Sequence, residues 1–273
     1  MTTASDSALW DGWFAVTRLE PGVTMIGEPL HAEDPKSFLV EGSERAVLID
    51  TGIGVGNLGR LIHELTRLPV TVVTSHAHWD HVGGNRWFAD IRAPVGAHAA
   101  LRAGWDDERM RRALDPSQLS GSLPAGSDPA HAAIPPLPDV ATVADGDVLD
   151  LGGRALEIMA APGHASELIV LLDRANGILF GTDAVYAAGL YAQMADSDLD
   201  VYLATLHRLS ALVPELRVVY SSHGTVPFAP ELILRMTDAM EEVIAGRPAD
   251  GEDAGGLRHD FGEFGIITAA PEA

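Results

Sequence analysis

Short apolar segments alternate with polar turns over the first quarter of the chain, and their lengths predict strands. Ser37–Val40 and Ala46–Ile49 are both apolar, and Glu41-Gly-Ser-Glu44 between them is typical of a hairpin turn. Asn57–Arg67 carries apolar residues at helical spacing, which predicts an amphipathic helix. Pro69 ends that helix and begins a further strand, because proline cannot continue a helix. The order strand, helix, strand indicates a βαβ unit.

The second half of the chain shows the same two periodicities. Ala155–Ala161 and Leu168–Leu172 are predicted to be consecutive strands. Asp198–Leu212 and Glu231–Ile244 have the spacing of amphipathic helices. Phe261–Ile267 is predicted to add an edge strand near the C-terminus. The chain is therefore predicted to have mixed sheets with helices on the outside.

Residues 97–145 differ in character from the segments around them. Leu101, Trp105 and Leu114 predict a short helix. A long irregular segment inside a compact domain is usually a lid or a binding loop, so we interpret it as a substrate-shaping insertion that borders a pocket. A passive surface excursion is the alternative. No repeat is present, and we expect a single domain over residues 1–273. Six prolines follow the short helix, namely Pro116, Pro124, Pro129, Pro135, Pro136 and Pro138.

The candidate chemistry begins directly after the strand that Pro69 starts. Residues 76–81 read His-Ala-His-Trp-Asp-His, and Val82-Gly-Gly84 follows with little side-chain bulk. Neutral imidazole and carboxylate are the ligands from which catalytic zinc sites are built. Alternate residues at a strand end share a side, so His76 and His78 can bind one ion. Asp80 and His81, one turn later, can face a second ion.

This hexapeptide resembles the signature of the metallo-β-lactamase superfamily, and three further residues match that family's remaining ligands. Each of the three follows a short apolar or β-branched run, which predicts that it lies at the end of a strand. The resemblance covers roughly residues 20–235 and implies an α/β (α+β type) fold, a four-layer αββα sandwich with two mixed β-sheets and helices on the outer faces. The three residues are His164 in Gly163-His164, Asp183 in Gly181-Thr-Asp183 and His223 in Ser222-His223-Gly224.

The resemblance also implies how the ligands divide between two zinc ions, with iron or manganese as possible replacements. Asp183 is implied to bridge the pair, and water shared by the two ions is implied to supply the nucleophile for attack on a carbonyl group. Asp80 is further implied to orient that nucleophile and to pass a proton to the leaving group. The implied first set is His76, His78 and His164, and the implied second set is Asp80, His81 and His223.

Tyr186 is a second candidate catalytic residue. It lies one turn after Asp183 in Asp183-Ala-Val-Tyr186, a spacing that resembles the acyl-homoserine lactonases. Its phenol could donate a hydrogen bond to an oxygen that gains charge, whereas a tyrosine packed in the core is the alternative. His31 precedes the first hairpin, and we predict a solvated histidine there rather than one at the pocket rim.

One glycine-rich motif points to a different chemistry. Residues 54–59, Gly-Val-Gly-Asn-Leu-Gly, match the dinucleotide-binding pattern after a predicted strand and before a predicted helix. The acidic residue expected about 20 positions later to bind a ribose hydroxyl has no clear candidate. We therefore predict that these glycines serve the turn.

The amino-acid composition limits which kinds of partner and which kinds of chemistry we expect for this protein. The 273 residues carry 18 basic and 39 acidic side chains, a formal charge of −21, which disfavours nucleic acid as a partner. No cysteine is present, so thiolate ligands and cysteine nucleophiles are excluded. Met1–Gly12 lacks the features of a secretory signal, and the longest strongly apolar run, Leu168–Leu172, is too short to cross a bilayer. We expect a cytoplasmic protein without membrane contact, and its oligomeric state stays open.

The function predicted from these residues is metal-dependent hydrolysis of a small carbonyl compound. A lactone or an ester is the first choice of substrate, and a thioester or a β-lactam is possible. The lack of cysteine and the presence of Asp183 argue against a β-lactamase proper. Glutathione thioesterases carry a basic C-terminal patch, and residues 231–273 offer only three arginines for one. Two alternatives stay open, a mononuclear-iron oxidoreductase that resembles the persulfide dioxygenases and a metal-binding accessory protein without turnover.

Overall fold

The computed structural model describes residues 9–270, which form two compact units. The first unit extends to Thr142 and also includes Leu151–Arg154, and the second comprises Val143–Asp150 and the chain from Ala155 onward. Residues 1–8 of the N-terminal segment, on which the expected absence of a secretory signal depends, lie outside the described residues. Among the residues that are described, no helix has the length and apolar character needed to cross a membrane.

The first unit is built on a seven-stranded mixed sheet whose strands lie side by side in chain order. The predicted hairpin and the predicted βαβ unit are both present, since β3 pairs antiparallel with β4 and β4 pairs parallel with β5. The strands are β1 (Ala15–Glu20), β2 (Val23–Gly27), β3 (Lys36–Glu41), β4 (Ala46–Ile49), β5 (Val70–Val73), β6 (Ile91–Pro94) and β7 (Ala141–Val143).

Within the described part of this unit, four α-helices accompany the sheet. Asn57 begins the first of them, because its side chain accepts a hydrogen bond from the Arg60 N–H. The apolar face of that helix is buried in a core that also contains Trp13, Leu48 and Val72. Burial of apolar side chains from both sheet and helix is what holds the unit together. The helices are α1 (Leu58–Leu65), α2 (Trp79–Val82), α3 (His98–Ala103) and α4 (Asp107–Ala113).

The insertion at 97–145 has more structure than the sequence analysis anticipated. It forms α3 and α4, and Trp105 pairs with Ile134 through two main-chain hydrogen bonds of 2.9 Å. Two of its prolines, Pro116 and Pro129, begin short 3₁₀ turns. Apolar side chains of the insertion, such as Met110, are buried in the core of the first unit, so the segment packs as part of that unit.

The second unit contains two sheets. The five-stranded sheet has the order β13-β11-β10-β9-β8, and it is antiparallel except for the parallel pair of β11 and β13. Its strands are β8 (Val148–Asp150), β9 (Ala155–Ala160), β10 (Ile169–Asp173), β11 (Ile178–Thr182) and β13 (Val218–Ser221). The four-stranded sheet consists, in the order β12-β16-β15-β14, of β12 (Gly189–Ala192), β14 (Gly251–Asp253), β15 (Gly256–Asp260) and β16 (Gly265–Thr268).

The two predicted helices of this unit are α5 (Leu199–Ser210) and α6 (Glu231–Ile244). Tyr202 and Met236 on their inner faces are buried in one core with Leu172 of β10. The predicted edge strand at Phe261–Ile267 is wrong, because β16 lies between β12 and β15 in the interior of the four-stranded sheet. β12, β14 and β15 carry no pattern that predicted them, and β12 and β15 are the two neighbours of β16. The mixed α/β class is confirmed.

Candidate functional site

The four predicted ligands of the first unit follow β5 within eight residues. His76 comes three residues after the strand, His78 directly precedes α2, and Asp80 and His81 lie within α2. The ligand atoms of His76 and His78, of His76 and His81, and of Asp80 and His81 are within 4.8 Å of each other. Within this unit the structure therefore brings the four side chains together.

Hydrogen bonds determine which nitrogen of His76 is available. The Ser75 hydroxyl donates to Asp50 Oδ2 over 2.7 Å, and the His76 Nδ1–H donates to the same hydroxyl over 2.9 Å. Nε2 of His76 is then the nitrogen that carries the lone pair, and it lies 2.9 Å from His78 Nδ1. Two imidazole nitrogens in this arrangement match the donor set that divalent zinc prefers.

His81 is oriented by the same carboxylate. Its Nδ1–H donates to Asp50 Oδ2 over 3.0 Å, so its Nε2 is the acceptor nitrogen and lies 3.4 Å from Asp80 Oδ2. Asp50 is only 1% exposed, and its Oδ1 accepts the Ser75 N–H over 2.7 Å. A buried carboxylate that holds a candidate ligand through its second nitrogen is typical of metal sites. Sequence reasoning missed Asp50, although an acidic residue at the end of a fully buried strand was a usable signal.

The turn that contains Asp50 is bonded to the ligand segment at two more points. The Thr51 N–H donates to His81 O over 2.8 Å, and the Gly83 N–H donates to Gly52 O over 2.8 Å. Gly54 is in the left-handed region with φ +84°, and a Cβ there would collide with the Gly83 main chain. The close approach of these two segments therefore depends on glycine.

The remaining glycines of the dinucleotide-like motif have packing roles as well. A Cβ on Gly56 would meet the Phe14 ring at 2.5 Å, and one on Gly59 would meet Trp87 Cβ at 2.6 Å. Both positions lie against aromatic side chains, which accounts for glycine without a bound nucleotide.

Glu28 supports the same turn from the interior of the unit. Its carboxylate accepts hydrogen bonds from Trp13 Nε1–H and from the Ile53 N–H, the latter over 2.8 Å, and a Cβ on Gly52 would collide with it. Burial raises the pKa of Glu28 to about 7, against the opposing effect of its two hydrogen bonds, and the charges of Asp80 and Asp34 add to the rise. No local pattern in the sequence distinguishes Glu28 from other acidic residues.

The second unit holds the other three predicted ligands. Asp183 follows β11, His223 follows β13, and the parallel pairing of these strands places both C-terminal ends at one edge of the sheet. Asp183 Oδ2 lies 3.5 Å from His164 Nε2 and 3.3 Å from His223 Nε2. One carboxylate oxygen between two imidazole nitrogens is an arrangement that can share a cation.

A main-chain carbonyl group orients the ring of His164. Its Nδ1–H donates to Tyr191 O over 2.9 Å, which leaves Nε2 directed at Asp183. Gly163 before it has φ +137°, and a Cβ there would collide with Tyr202 of α5. The close packing of this turn on α5 thus requires glycine beside the histidine.

Tyr186 lies beside these ligands within the second unit. Its ring centroid is 5.6 Å from that of His223, and its Oη accepts the Tyr191 N–H over 2.8 Å. Burial raises the pKa of Tyr186 well above its usual value, and the neighbouring Tyr202 and Asp183 act in the same direction. The phenol is therefore neutral at physiological pH and keeps its proton for donation.

His31 is not solvated, so that prediction is wrong. The ring is 3% exposed, Nε2–H donates to Ala113 O over 2.9 Å, and Nδ1 accepts the Glu33 N–H over 3.1 Å. Its centroid lies 5.5 Å from the ring of Trp79, and burial lowers the pKa of His31. The insertion supplies the acceptor carbonyl, which is why local sequence could not indicate the burial.

The insertion also lines a cavity of about 260 Å³ in the first unit. Met110, Leu114 and Leu123 form apolar parts of its wall, and Ile53 and Arg86 also line it. The guanidinium of Arg86 donates to Gly54 O and to Ala133 O, so it ties the insertion to the turn that follows β4.

This chain is similar in sequence to known proteins. The family model of the metallo-beta-lactamase superfamily matches residues 33–223. The acyl-coenzyme A thioesterase MBLAC2 of Gallus gallus is 31% identical over 212 residues, which cover 74% of this chain and 76% of that protein. A hydroxyacylglutathione hydrolase of Rhodobacter capsulatus is 35% identical over 139 residues, 49% of this chain and 53% of the relative.

The fold is shared with solved structures. A metallo-beta-lactamase from Pontibacter korlensis superposes with a TM-score of 0.61 at 22% identity, covering 84% of this chain and 99% of the other. This likeness confirms the fold that the residues at 76–81 implied.

Replacement of Glu28 by glutamine should change how stability depends on pH. The carboxyl binds its proton more tightly in the folded chain, so its contribution is fully present below about pH 4.5 and is lost as pH rises to about 7. We expect the difference in unfolding free energy between wild type and Glu28→Gln to fall by roughly 3 kcal/mol over this window. Urea titrations at several pH values measure it, and the other titrating groups cancel because both proteins have them. Parallel curves would contradict the assignment.

Proposed function

Because the chain belongs to the metallo-beta-lactamase superfamily and is a hydrolase, we propose that it is a metal-dependent thioesterase. In this proposal, His76, His78 and His164 would hold one ion, Asp80, His81 and His223 would hold the other, and Asp183 would be shared by both. The observation that carries the proposal is the orientation of the imidazoles. His76, His81 and His164 each donate Nδ1–H to an acceptor of the fold, which leaves Nε2 for a cation.

The mechanism assigns a separate task to each residue of the chain. When bound, divalent ions in such a site lower the pKa of water toward 7 and polarise a carbonyl group. Asp80 accepts the proton of the attacking water and delivers it to the leaving group. Tyr186, which keeps its proton at neutral pH, donates a hydrogen bond to the carbonyl oxygen as charge develops there.

The relatives favour a thioester as substrate. Both the MBLAC2 proteins and the hydroxyacylglutathione hydrolases are named for cleavage of thioesters. A lactone or an oxygen ester, the first choice from the sequence, is the second candidate because Tyr186 lies three residues after Asp183. Each is a small-molecule substrate, in keeping with the charge of −21, which disfavours nucleic acid, and a cytoplasmic location is part of the same proposal.

The distribution of arginine supports coenzyme A rather than glutathione as the leaving group. The three arginines after residue 230 all form ion pairs with carboxylates: Arg235 with Glu263, Arg247 with Glu242, and Arg258 with Asp253. They are thus engaged within the C-terminal segment. In the insertion Arg112 likewise pairs with Glu108, over 2.8 Å, but four arginines stand between residues 102 and 112, and phosphate groups are bound well by guanidinium. These four arginines are Arg102, Arg109, Arg111 and Arg112 on α3 and α4.

We expect the purified protein to contain two divalent ions per chain and to hydrolyse acyl-coenzyme A faster than lactones, S-acyl glutathione or β-lactams. Chelation should abolish turnover and added zinc should restore it, because the water nucleophile depends on the ions. Elemental analysis and a substrate panel test this, with His76→Ala as the variant that loses metal and activity together. A single iron per chain would favour the oxidoreductase alternative, and full metal content without any hydrolysis would favour the accessory protein.

Asp50→Asn should weaken metal binding by about 10- to 100-fold, because the amide cannot accept all three hydrogen bonds that orient His81 and Ser75. Competition with a chromogenic chelator measures the affinity. Asp90→Asn is the matched control, since the Asp90 carboxylate binds Thr71 at the same sheet and contacts none of the ligands. Equal affinities for both variants would refute the role of Asp50.

The double variant Arg111→Glu/Arg112→Glu should raise KM for acyl-coenzyme A by roughly five- to tenfold, because two cations that attract phosphate become anions. KM for the uncharged N-acetylcysteamine thioester of the same acyl group should not change. Arg18→Glu/Arg45→Glu makes the same change of charge at exposed positions of β1 and the first hairpin. A rise of KM with both thioesters, or with both double variants, counts against phosphate recognition by α4.

A further inference from the structure

The edge strand β12 of the four-stranded sheet forms main-chain hydrogen bonds outside its own sheet. β12 lies at the edge of this sheet, and among the described residues it pairs with β16 alone. Successive residues of a strand turn their N–H and C=O groups to opposite sides, so every second residue of an edge strand offers both groups away from the sheet. Such groups usually face solvent.

Tyr191 of β12 uses both of its outward main-chain groups on candidate site residues. Its N–H donates to Tyr186 Oη over 2.8 Å, and its C=O accepts the His164 Nδ1–H over 2.9 Å. His164 follows β9 and Tyr186 follows β11, so both come from the other sheet of the unit. A single residue of β12 therefore forms hydrogen bonds with two side chains that follow different strands of the chain.

The direction of the first hydrogen bond has a chemical consequence. Oη of Tyr186 is the acceptor of the Tyr191 N–H, so its own hydrogen is directed elsewhere. A hydroxyl that accepts a hydrogen bond becomes a better donor, because the two bonds polarise each other. The N–H of Tyr191 thus both aims the phenol and strengthens its donation.

We propose that Tyr191 is a positioning residue of the site, acting through its main chain on Tyr186 and His164. The catalytic consequence rests on the proposed function, whereas the positioning itself is a property of the second unit. Tyr191 itself has no contact with the reacting atoms in this proposal. It acts by restricting the phenol of Tyr186 and the ring of His164 to one orientation each.

The same geometry gives a role to the C-terminal segment. β12 is held by parallel pairing with β16, with Leu190 opposite Ile266 and Tyr191 opposite Ile267. Ile266 and Ile267 are buried, so this pairing has an apolar anchor. The family match ends at residue 223, and β14, β15 and β16 all follow it. The sheet that they form is accordingly part of the support of the site.

Amide hydrogen exchange tests the positioning without any measurement of activity. The Tyr191 N–H faces away from β16, so its protection depends on Tyr186 Oη. In Tyr186→Phe, we expect the Tyr191 amide to exchange at least about tenfold faster by NMR. The amides of Leu190 and Ala192, which face β16, serve as internal controls and should change little. Unchanged exchange at Tyr191 would overturn the proposal.

A double-mutant cycle tests the catalytic consequence. Tyr191→Pro removes the donor N–H but keeps the C=O, and Tyr191→Ala keeps both groups. We expect Tyr191→Pro to lower kcat for the thioester by roughly tenfold without loss of metal, as Tyr186→Phe does, and Tyr191→Ala to change little. In the Tyr186→Phe background, proline should cost nothing further.

The outcomes separate the two proposals. A full additional loss from proline in the Tyr186→Phe background would mean that the substitution acts by general damage, and would overturn the role of Tyr191. A wild-type protein that hydrolyses none of the substrates would overturn the proposed function alone, since the exchange experiment decides the positioning on its own.

Discussion

A charged group that is taken out of water must be compensated inside the fold, and the Asp50 carboxylate shows how this requirement shapes the first unit. Its two oxygens accept three hydrogen bonds, from the N–H and hydroxyl of Ser75 and from the ring of His81. These bonds join the end of β4 to the segment after β5. They also decide the tautomers of His76 and His81. The Ser75 hydroxyl donates its hydrogen to Asp50, so it can only accept from the His76 Nδ1–H.

The second unit orients its candidate side chains with main chain in place of a carboxylate. Tyr191 at the edge of β12 supplies an acceptor to His164 and a donor to Tyr186. In both units, then, candidate ligand rings are oriented by hydrogen bonds from the ring nitrogen that is not offered to a cation. Glu28 lies deeper in the first unit and bonds to the turn that follows Asp50. Its burial there raises the pKa of its carboxyl to about 7.

Much of the fold could be predicted because its elements carry local patterns. The helix expected at Glu231–Ile244 has those bounds in the structure, and the helix expected at Asp198–Leu212 differs only at its ends. The prediction failed where neighbours in space decide the outcome. Phe261–Ile267 was expected to form an edge strand, but β12 and β15 flank β16 and place it in the interior. His31 was expected in solvent, but the insertion covers it.

The sequence by itself determined the candidate metal donors of the first unit and their order, because His76, His78, Asp80 and His81 lie within six residues and their spacing is a local property. Only the tertiary structure decided which nitrogen each ring presents and what holds it there. Asp50 reaches His81 across 31 positions, and Tyr191 reaches His164 across 27. No sequence pattern marks such partners. Any buried acceptor of suitable geometry can accept an imidazole N–H, and only the packing of the fold selects which one does.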